Sequence, residues 1–398
     1  MKILYIHQYF VTPSEPGGTR SYWISKELIK HGHEVTMITT TTDNEKPRET
    51  TIEGIKVIYL KIPYSNKMSI FKRIIAFIKF MTLTAWYVIK TEKHDLAIAT
   101  STPLTVGFPA LIGKKLKGLP YIFEVRDLWP EVPVQMGGVK NKYAIKFLYW
   151  FEKTIYKNAK HIVALSPGMY DGVVAAGTPT EKITTIPNMS KIDEFWPREK
   201  DTTLINELKL KPNTFKVVYF GTMGLANGMD YIIDAAKYLK NEKNIEFLFL
   251  GGGAIEPILR KRCEDEKLDF MHFYGKVPMK RLSAIVNLCD VSLVTFSDLP
   301  ILATNSPNKL FDTLSAGKAI IVNSLGWTKT MVEENNCGAY VDIKKPKQLS
   351  DKIIELKNNP LLCEEMGKNS RILAENKFDK SILCAQYATM VNALAKEL

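Results

Sequence analysis

Two strand-like apolar runs, at 290–296 and 319–322, flank the segment Ser306-Pro307-Asn308-Lys309-Leu310-Phe311-Asp312-Thr313-Leu314-Ser315-Ala316-Gly317-Lys318. Ser suits a helix N-cap and Pro suits the first helical turn, so the sequence predicts a loop and then a short helix that opens near Ser306 and Pro307. Strand, helix and strand in this order form the unit from which parallel α/β sheets are built.

The predicted helix carries one cation and one carboxylate on the same face. Lys309 and Asp312 are three residues apart, which places them side by side on a helix. A helix N-terminus at the carboxyl edge of a parallel sheet attracts anions. A cation for phosphate beside a carboxylate for sugar hydroxyls is the chemistry of a nucleotide-sugar site. A surface helix with ordinary charges is the alternative, and the segment alone leaves both open.

The alternation of strands and helices runs along the chain and restarts after a polar stretch at 188–212. The chain has 398 residues, more than one hydrophobic core usually holds, since single cores stop growing near ~250–300 residues. The sequence therefore predicts two doubly wound α/β domains, 1–190 and 191–379, with a last helix in 380–398 that packs back onto the first domain. The predicted strands are 3–7, 34–40, 55–60, 96–100, 120–125, 161–165, 216–220, 245–250, 270–274, 290–295, 319–322 and 338–342.

Composition narrows the class of partner. The formal net charge of +12 indicates an anionic partner, such as phosphorylated ligands or acidic lipid. A nucleic-acid partner is not expected, because the sequence has neither a Lys/Arg tail nor a zinc motif. The five cysteines form no C-x-x-C pair, which is typical of buried thiols in a reducing compartment. The apolar run 3–6 is too short for a signal peptide, so we expect a cytoplasmic protein.

The segment 69–89 is strongly apolar but carries Lys72, Arg73 and Lys79. Three cations disfavour a helix that spans the bilayer. An amphipathic helix in the interface of an anionic membrane fits better, with buried side chains that include Phe71, Ile74, Ile75, Phe77, Ile78, Phe80, Trp86 and Tyr87. A helix packed on its own sheet is the alternative.

Three glycine-rich loops follow predicted strands. Gly17 and Gly18 precede a helix, where they let backbone amides approach phosphate or sugar oxygens. The loop 221–228 occupies the equivalent place in the second domain, and 251–253 follows the next strand. None contains G-x-G-x-x-G or a Walker lysine, so nicotinamide and P-loop sites are poorly supported.

Polar and aromatic side chains cluster after the strand 120–125. Arg126, Asp127, Trp129 and Glu131 fall near the carboxyl edge of the sheet, where α/β folds bind ligands. In a cleft, Asp127 could act as a general base and Arg126 could hold an anionic substrate. An ion pair that closes a loop is the alternative. The sequence has no H-x-x-x-H and no obvious loop with D-x-D, so no metal site is expected.

Together these motifs resemble the retaining glycosyltransferases of family 4, whose GT-B fold has two Rossmann-like domains facing a cleft. Gly17-Gly18, followed by Gly32-His33-Glu34-Val35, is similar to the opening of that family. The stretches 125–131 and 221–228 resemble the branch that builds bacterial surface polysaccharides, capsule or O-antigen. Within it the similarity is to transferases that add N-acetyl-fucosamine-type sugars to polyprenyl-diphosphate-linked acceptors.

The resemblance also implies residue roles and departures from them. Of two family Glu residues eight apart, the second falls on Asp312, which implies ribose binding, and the first falls on Thr304, where the acidic group is missing. The diphosphate-binding Arg and Lys of the family fall on Thr222 and Asn227. Lys309 and helix amides must then carry more of the phosphate charge.

Two further positions complete the implied site. The catalytic-site His of the family falls on Arg126, and Lys276-Val277 stands where the family backbone holds the nucleotide base. The expected donor-binding residues are Ser306, Asn308, Lys309, Asp312, Thr222, Gly224, Asn227, Gly252, Lys276 and Val277. The expected acceptor-binding residues are Gly17, Gly18 and Trp129, and the expected catalytic residues are Arg126, Asp127 and Glu131.

The resemblance implies a transferase that moves an N-acetylated amino or deoxyamino sugar from a UDP-sugar to a polyprenyl-diphosphate-linked sugar, with retention and without a metal or other cofactor. Such an enzyme would lie against the inner face of the cell membrane. Two alternatives stay open. A UDP-sugar epimerase shares the fold but would need carboxylates and His around the sugar. A non-catalytic nucleotide-sugar-binding protein is suggested by Thr304, Thr222 and Asn227.

Overall fold

The strands form two separate sheets in the computed structural model, which describes residues 1–15, 17–64 and 68–397. The first sheet has the order β3-β4-β2-β1-β5-β6-β7-β8, and only β3 runs antiparallel to its neighbour. Its strands are β1 Lys2–Ile6, β2 Glu34–Thr41, β3 Glu49–Ile52, β4 Ile55–Lys61, β5 Leu96–Thr100, β6 Tyr121–Val125, β7 His161–Ala164 and β8 Ile183–Thr185.

The second sheet is parallel, with the order β11-β10-β9-β12-β13-β14. Its strands are β9 Phe215–Thr222, β10 Ile245–Gly252, β11 Met271–Gly275, β12 Val291–Val294, β13 Ala319–Val322 and β14 Gly338–Tyr340. In each sheet the strand order reverses beside the first strand, between β1 and β5 and between β9 and β12. Ligands of open α/β sheets bind at such reversals, outside the carboxyl ends of the strands.

Helices cover both faces of the sheets. They are α1 Arg20–Lys30, α2 Ile70–Lys90, α3 Gly107–Lys117, α4 Glu131–Gln135, α5 Lys142–Asn158, α6 Pro167–Ala175, α7 Thr202–Glu207, α8 Met229–Ala236, α9 Glu256–Asp265, α10 Met279–Leu288, α11 Asn308–Ser315, α12 Trp327–Glu334, α13 Pro346–Asn358, α14 Pro360–Leu373 and α15 Lys380–Ala395. Within the described ranges, no helix has both the length and the apolar character needed to cross a bilayer.

The predicted architecture of two Rossmann-like domains is confirmed, and every predicted strand is present. Short or polar elements were missed, among them β3, β8, α4, α7 and α14. α11 begins at Asn308, close to its predicted opening, but the predicted cap was wrong, because Pro307 and not Ser306 occupies the cap position, without a side-chain bond. Ser306 instead accepts a hydrogen bond from the backbone N–H of Asn188, 3.3 Å away, so a contact between the domains takes the hydroxyl that a cap would use.

The last helix returns to the first domain, as predicted; residue 398 lies outside the described residues. α15 packs against α1, and its Tyr387 is fully buried in the first core. Two connections between the domains run side by side, because the Ser190 N–H donates to the Phe378 carbonyl (2.7 Å) and the Lys380 N–H donates to the Ser190 carbonyl (2.9 Å). The hinge therefore consists of two paired segments.

A buried ion pair fastens this hinge to the first sheet. The Arg20 guanidinium contacts the Glu124 carboxylate, and both side chains are almost completely buried. Arg20 also donates to the carbonyls of Ile186 (2.9 Å) and Pro187, just before the first connection. The Tyr5 hydroxyl donates to the other oxygen of Glu124 at 3.1 Å. Every polar side-chain atom of the pair thus has a partner on α1, β1, β6 or the segment that leads into the first connection.

Removing one partner of this pair should destabilise the fold strongly. We expect Arg20→Met to lower the free energy of unfolding by about 3–5 kcal/mol, because it leaves the Glu124 carboxylate buried and uncompensated. The double variant Arg20→Met/Glu124→Leu should recover part of that loss. Scanning calorimetry measures both. A double variant less stable than Arg20→Met would contradict this account.

Candidate active site

A cavity of about 430 Å³ opens between the two domains at the carboxyl ends of the second sheet. Ten predicted site residues line it: Gly17, Gly18, Thr222, Asn227, Gly252, Lys276, Val277, Asn308, Lys309 and Asp312. Gly221 and Gly251 of the predicted glycine loops line it as well, and the sequence analysis did not name the apolar lining residues, which are Phe220, Leu250, Met279 and Leu282. The glycine loops after β1, β9 and β10 and the N-terminus of α11 therefore meet at one place.

Two glycines make the floor of the cavity possible. A Cβ on Gly251 would lie 1.9 Å from the Gly221 carbonyl oxygen, and a Cβ on Gly221 would lie 3.3 Å from Cε of Lys309. Both glycines have positive φ, +125° and +120°, a region that other residues rarely adopt. The ends of β9 and β10 can thus approach each other closely and leave room for the lysine.

Lys309 reaches this space as a buried ammonium. The residue is 9% exposed, and in the described part of the chain its Nζ has no hydrogen-bond partner. Nζ lies 3.8 Å from the ring centroid of Tyr219, a cation–π contact that sequence reasoning did not foresee. Burial lowers the pKa of Lys309 to about 7. A buried cation that lacks a carboxylate is suited to meet an anionic ligand. Lys276, which is exposed, lines the same cavity as a second cation.

Asp312 lines the cavity one helical turn after Lys309. Its carboxylate is almost completely buried, and Oδ1 lies 3.1 Å from Nζ of Lys191 in the first connection between the domains. Burial raises the pKa of Asp312, and the charge of Lys191 opposes that rise. The group predicted to bind ribose therefore stands in an ion pair with the hinge, which the sequence did not indicate.

The first domain contributes Gly18 to the lining of the cavity, and the side chain of Arg126, which lies outside that lining, stands beside Gly18. A Cβ on Gly18 would lie 3.0 Å from Nδ2 of Asn308 and 3.5 Å from an Nη atom of Arg126. The glycine loop of one domain, the start of α11 in the other and the Arg126 side chain therefore converge. A larger side chain at position 18 would fill the point where they meet.

His7, at the end of β1, orients Arg126 and was missed by the sequence analysis. Its Nε2 lies 3.0 Å from Nη1 of Arg126, and its Nδ1 lies 2.7 Å from the Ser21 hydroxyl. Because a guanidinium can only donate, Nε2 accepts and Nδ1 carries the proton. Burial and the nearby Arg126 lower the pKa of His7 well below its usual range, so the ring is neutral. The sequence feature that could have identified His7 is its place at the carboxyl end of the first strand.

Asp127, Trp129 and Glu131 follow β6 but lie outside the lining of this cavity. Asp127 is half-buried, and burial raises its pKa to about 6. Trp129 packs against the first core. Glu131 accepts from the Tyr149 hydroxyl and from Nε2 of Gln135 (2.6 Å), so both of its oxygens are engaged.

Glu131 is thereby connected to the second domain. Oε1 of Gln135 accepts the Ile301 N–H at 3.1 Å, which ties α4 to the segment before α11. Thr304, at the end of that segment, packs against Gly168 and accepts the Ser166 hydroxyl bond at its carbonyl. The position where the family has an acidic residue therefore forms part of the contact between the domains. Ser306 and Gly224 also lie outside the cavity lining.

A metal site does not emerge from the described ranges, where no three His, Cys, Asp or Glu side chains are grouped as metal ligands. The predicted absence of a metal stays a prediction.

Comparison with known proteins finds one family model in each half of the chain. Residues 17–189 match the model of a glycosyl transferase 4-like domain, and residues 200–372 match the model of glycosyl transferases group 1. The chain is a glycosyltransferase. It is 24% identical over 353 residues to the probable glycosyltransferase WbjE of Pseudomonas aeruginosa, covering 85% of this chain and 84% of the relative. It is also 24% identical over 317 residues to the α-galactosylglucosyldiacylglycerol synthase of Streptococcus pneumoniae, covering 74% and 79%.

Solved structures share the fold of this glycosyltransferase along its whole length. Sucrose-phosphate synthase of Thermosynechococcus elongatus superposes with a TM-score of 0.82 at 17% identity and covers 100% of both chains. HepE of Anabaena, solved with UDP-glucose, superposes with a TM-score of 0.72 at 15% identity, covering 99% of this chain and 100% of the other. The GT-B fold expected from the sequence is confirmed; the N-acetyl-fucosamine branch stays a prediction.

Proposed function

We propose that this glycosyltransferase transfers a sugar from a UDP-sugar to a lipid-linked acceptor, with retention at the anomeric carbon and without a metal. The observation that carries the proposal is the buried, unpartnered ammonium of Lys309 in the cavity between the domains. A diphosphate supplies the charge that this group lacks. HepE, which shares the fold, was solved with UDP-glucose, which supports a UDP-sugar donor.

The lining residues suggest one orientation for the proposed donor. The uracil ring would lie by Val277 and Lys276 after β11, the ribose hydroxyls by Asp312, and the diphosphate by Lys309 and the N–H groups that open α11. Helix N-termini and buried cations stabilise an anionic leaving group where water is excluded. Lys309 reaches the diphosphate past Gly221, and in this way replaces the cations that the loop with Thr222 and Asn227 lacks.

The acceptor would approach from the first domain. Gly17 and Gly18 leave space at the mouth, and Arg126, held by His7, presents a cation to a phosphorylated acceptor. Asp127 stands next to Arg126 with a pKa of about 6, so that it is mostly ionised at neutral pH. We propose that these two residues position the acceptor, and that the transferred sugar is an N-acetylated amino or deoxyamino sugar of a bacterial surface polysaccharide.

An anionic membrane would present the polyprenyl-diphosphate acceptor to this mouth. α2 leaves a stripe of large apolar side chains exposed, among them Phe71 (72% exposed), Ile74, Ile78 and Trp86, beside the exposed cations Lys72 and Lys79. Phe80 was wrongly expected in this stripe, because it is fully buried in the first core. The relative from S. pneumoniae is named for a glycosylated diacylglycerol product, which supports an acceptor held in lipid.

The membrane-facing surface extends beyond α2. On α5, Tyr143 (85% exposed), Phe147 and Trp150 form a second aromatic stripe, next to the exposed Lys146 and Lys153. α3 packs between α2 and α5, so both stripes belong to one helical layer. Aromatic side chains flanked by lysines are typical of the interface of a bilayer. We propose that this layer holds the enzyme on the inner face of the cell membrane.

Lys309 should contribute to the affinity for UDP, and its amine should take up a proton when UDP binds. Lys309→Ala should weaken UDP binding by about tenfold to a hundredfold, since a hydrogen bond to a charged group contributes about 1.5–3 kcal/mol. With a pKa of about 7, the empty site holds a mostly neutral amine at pH 8, and a bound diphosphate raises that pKa. Binding at pH 8 should therefore take up close to one proton, which calorimetry in buffers of different ionisation enthalpy measures.

Lys309→Arg is the matched control, because a guanidinium stays charged and should abolish the proton uptake. Equal proton uptake in wild type and Lys309→Arg would refute the location of the diphosphate at Lys309.

Variants of the acceptor-side residues should lose transfer activity and keep their affinity for the donor. Arg126→Ala and Asp127→Asn should reduce kcat at least a hundredfold and leave UDP affinity nearly intact. Wild-type activity should fall as pH drops through about 6, where Asp127 becomes protonated. Glu131→Gln should retain most activity, because the amide oxygen can still accept from Tyr149. Parallel loss of UDP binding and transfer in Arg126→Ala would contradict an acceptor-side role.

Vesicle binding should depend on the exposed stripe of α2. The triple variant Phe71→Ser/Ile74→Ser/Ile78→Ser should co-sediment with anionic vesicles at least tenfold more weakly than wild type, and activity on a water-soluble acceptor should survive. Wild-type binding should weaken with added salt, because Lys72 and Lys79 contribute about 1 kcal/mol each near an anionic surface.

Three equally exposed apolar residues of the second domain give the control. Tyr238→Ser/Ile258→Ser/Leu361→Ser removes similar area from another surface and should not change vesicle binding. If both triple variants bound vesicles as wild type does, α2 would be an ordinary helix of the first domain.

A further inference from the structure

Lys191 belongs to the connection between the domains, and its side chain contacts Asp312, which lines the donor cavity. The residue lies directly after Ser190, which pairs with the returning segment at Phe378 and Lys380. Its side chain is only 6% exposed, and its Nζ lies 3.1 Å from Oδ1 of Asp312. No motif in the sequence pointed to this residue.

Because Asp312 is buried, its carboxylate is stabilised by the ion pair with Lys191 and not by solvation. Among the described residues, the other charges around it are Glu194, whose Oε2 is 3.8 Å from the same Nζ, and Lys309 on its own helix. Beyond Glu194 stands Lys380, at 3.9 Å from Glu194 and 2.7 Å from Asp193. The cluster thus alternates in sign from the cavity to the start of α15, and Lys191 is the cation in direct contact with Asp312.

The Ser190 hydroxyl holds the same two elements together one residue earlier. It donates to the carbonyl of Phe311, the residue before Asp312, at 3.0 Å. The backbone of the connection is therefore fixed against α11, so Lys191 approaches Asp312 from a defined direction.

We propose that Lys191 is a positioning residue for the donor: it keeps the Asp312 carboxylate ionised and aimed at the ribose hydroxyls of the nucleotide. The proposal rests on the UDP-sugar function given above. A carboxylate accepts hydrogen bonds from two hydroxyls, whereas a protonated carboxyl loses much of that capacity. Without a neighbouring cation, a buried carboxyl takes up a proton at higher pH. If Lys191 positions Asp312 in this way, the hinge is bonded directly to the carboxylate that recognises ribose.

The test uses the ratio of affinities for UDP and 2′,3′-dideoxy-UDP. Both ligands carry the same diphosphate and base, so the titration of Lys309 cancels in the ratio and the contribution of the ribose hydroxyls remains. The affinities are measured by calorimetry on the full chain between pH 5.5 and 8.5, for wild type, Lys191→Met, Lys191→Arg and Asp312→Asn.

Wild type should prefer UDP by about tenfold or more at the pH values where Asp312 is ionised, as expected for hydrogen bonds to a charged acceptor, and this preference should begin at a lower pH than in Lys191→Met. Lys191→Met should lose that preference at the acid end and regain part of it as pH rises, because the carboxyl with a raised pKa ionises only at higher pH. Lys191→Arg should retain the preference. Asp312→Asn should have a small ratio without pH dependence, and adding Lys191→Met to it should change the ratio no further.

Each other outcome overturns a different statement. If Lys191→Met weakened both ligands equally at all pH values, the ratio would stay unchanged. Lys191 would then only support the fold, and a role in ribose recognition would be excluded. If Lys191→Met failed to fold, Lys191→Gln would be measured in its place, with the same ratio expected. If wild type bound UDP without preferring it over the dideoxy ligand, ribose binding by Asp312 would be wrong. If it bound neither, the proposed donor itself would be wrong.

Discussion

A buried ammonium without a counter-charge is the constraint around which the second domain is organised. Taking a charged amine out of water is costly unless it is paired, and Lys309 meets this cost in part by a lowered pKa and by its contact with the Tyr219 ring. The site is therefore electrostatically incomplete when it is empty. An anionic ligand would supply the missing counter-charge. A surface lysine has no such need, because water already solvates its charge.

The backbone around Lys309 is shaped by this requirement. Gly251 lets the ends of β9 and β10 approach each other closely, because a Cβ there would clash with the Gly221 carbonyl, and Gly221 leaves open the space beside it that Cε of Lys309 occupies. The N-terminus of α11 points to the same cavity, so its free N–H groups add to the positive potential. Helix, lysine and glycine loops thus act on one volume, although they are separated by about a hundred residues of sequence.

Much of this arrangement was predictable, because it depends on local pattern. Apolar strands alternating with helices predicted both sheets, and the glycine loops after β1, β9 and β10 predicted where a ligand would approach. Lys309 and Asp312 were identified by their spacing on a helix that follows a strand, together with the family resemblance. Topology then places them at the reversal of strand order, as it does in any doubly wound sheet.

What the sequence could not predict are contacts between distant segments. Ser306 has the composition of a helix cap, yet Asn188 of the other domain takes its hydroxyl. Glu131 was interpreted as a catalytic group, but Tyr149 and Gln135 occupy its oxygens. His7 and Lys191 carried no motif at all. In each case a tertiary partner decides what a polar side chain does, and local propensity contains no information on that partner.

The departures from the family pattern are consistent with one another if one counts the cations that enter the cavity, whatever their position in the sequence. Thr222 and Asn227 remove two cations from the loop after β9, but Lys309 delivers one to the same cavity from α11, and Lys276 delivers another from the end of β11. A side chain at position 221 would crowd Lys309, since a Cβ there would lie 3.3 Å from its Cε, and the positive φ of Gly221 also disfavours one. Gly221 and Lys309 are therefore a matched pair. Under the proposed function, a sequence in which one of them changed would need the loop cations back to hold a diphosphate.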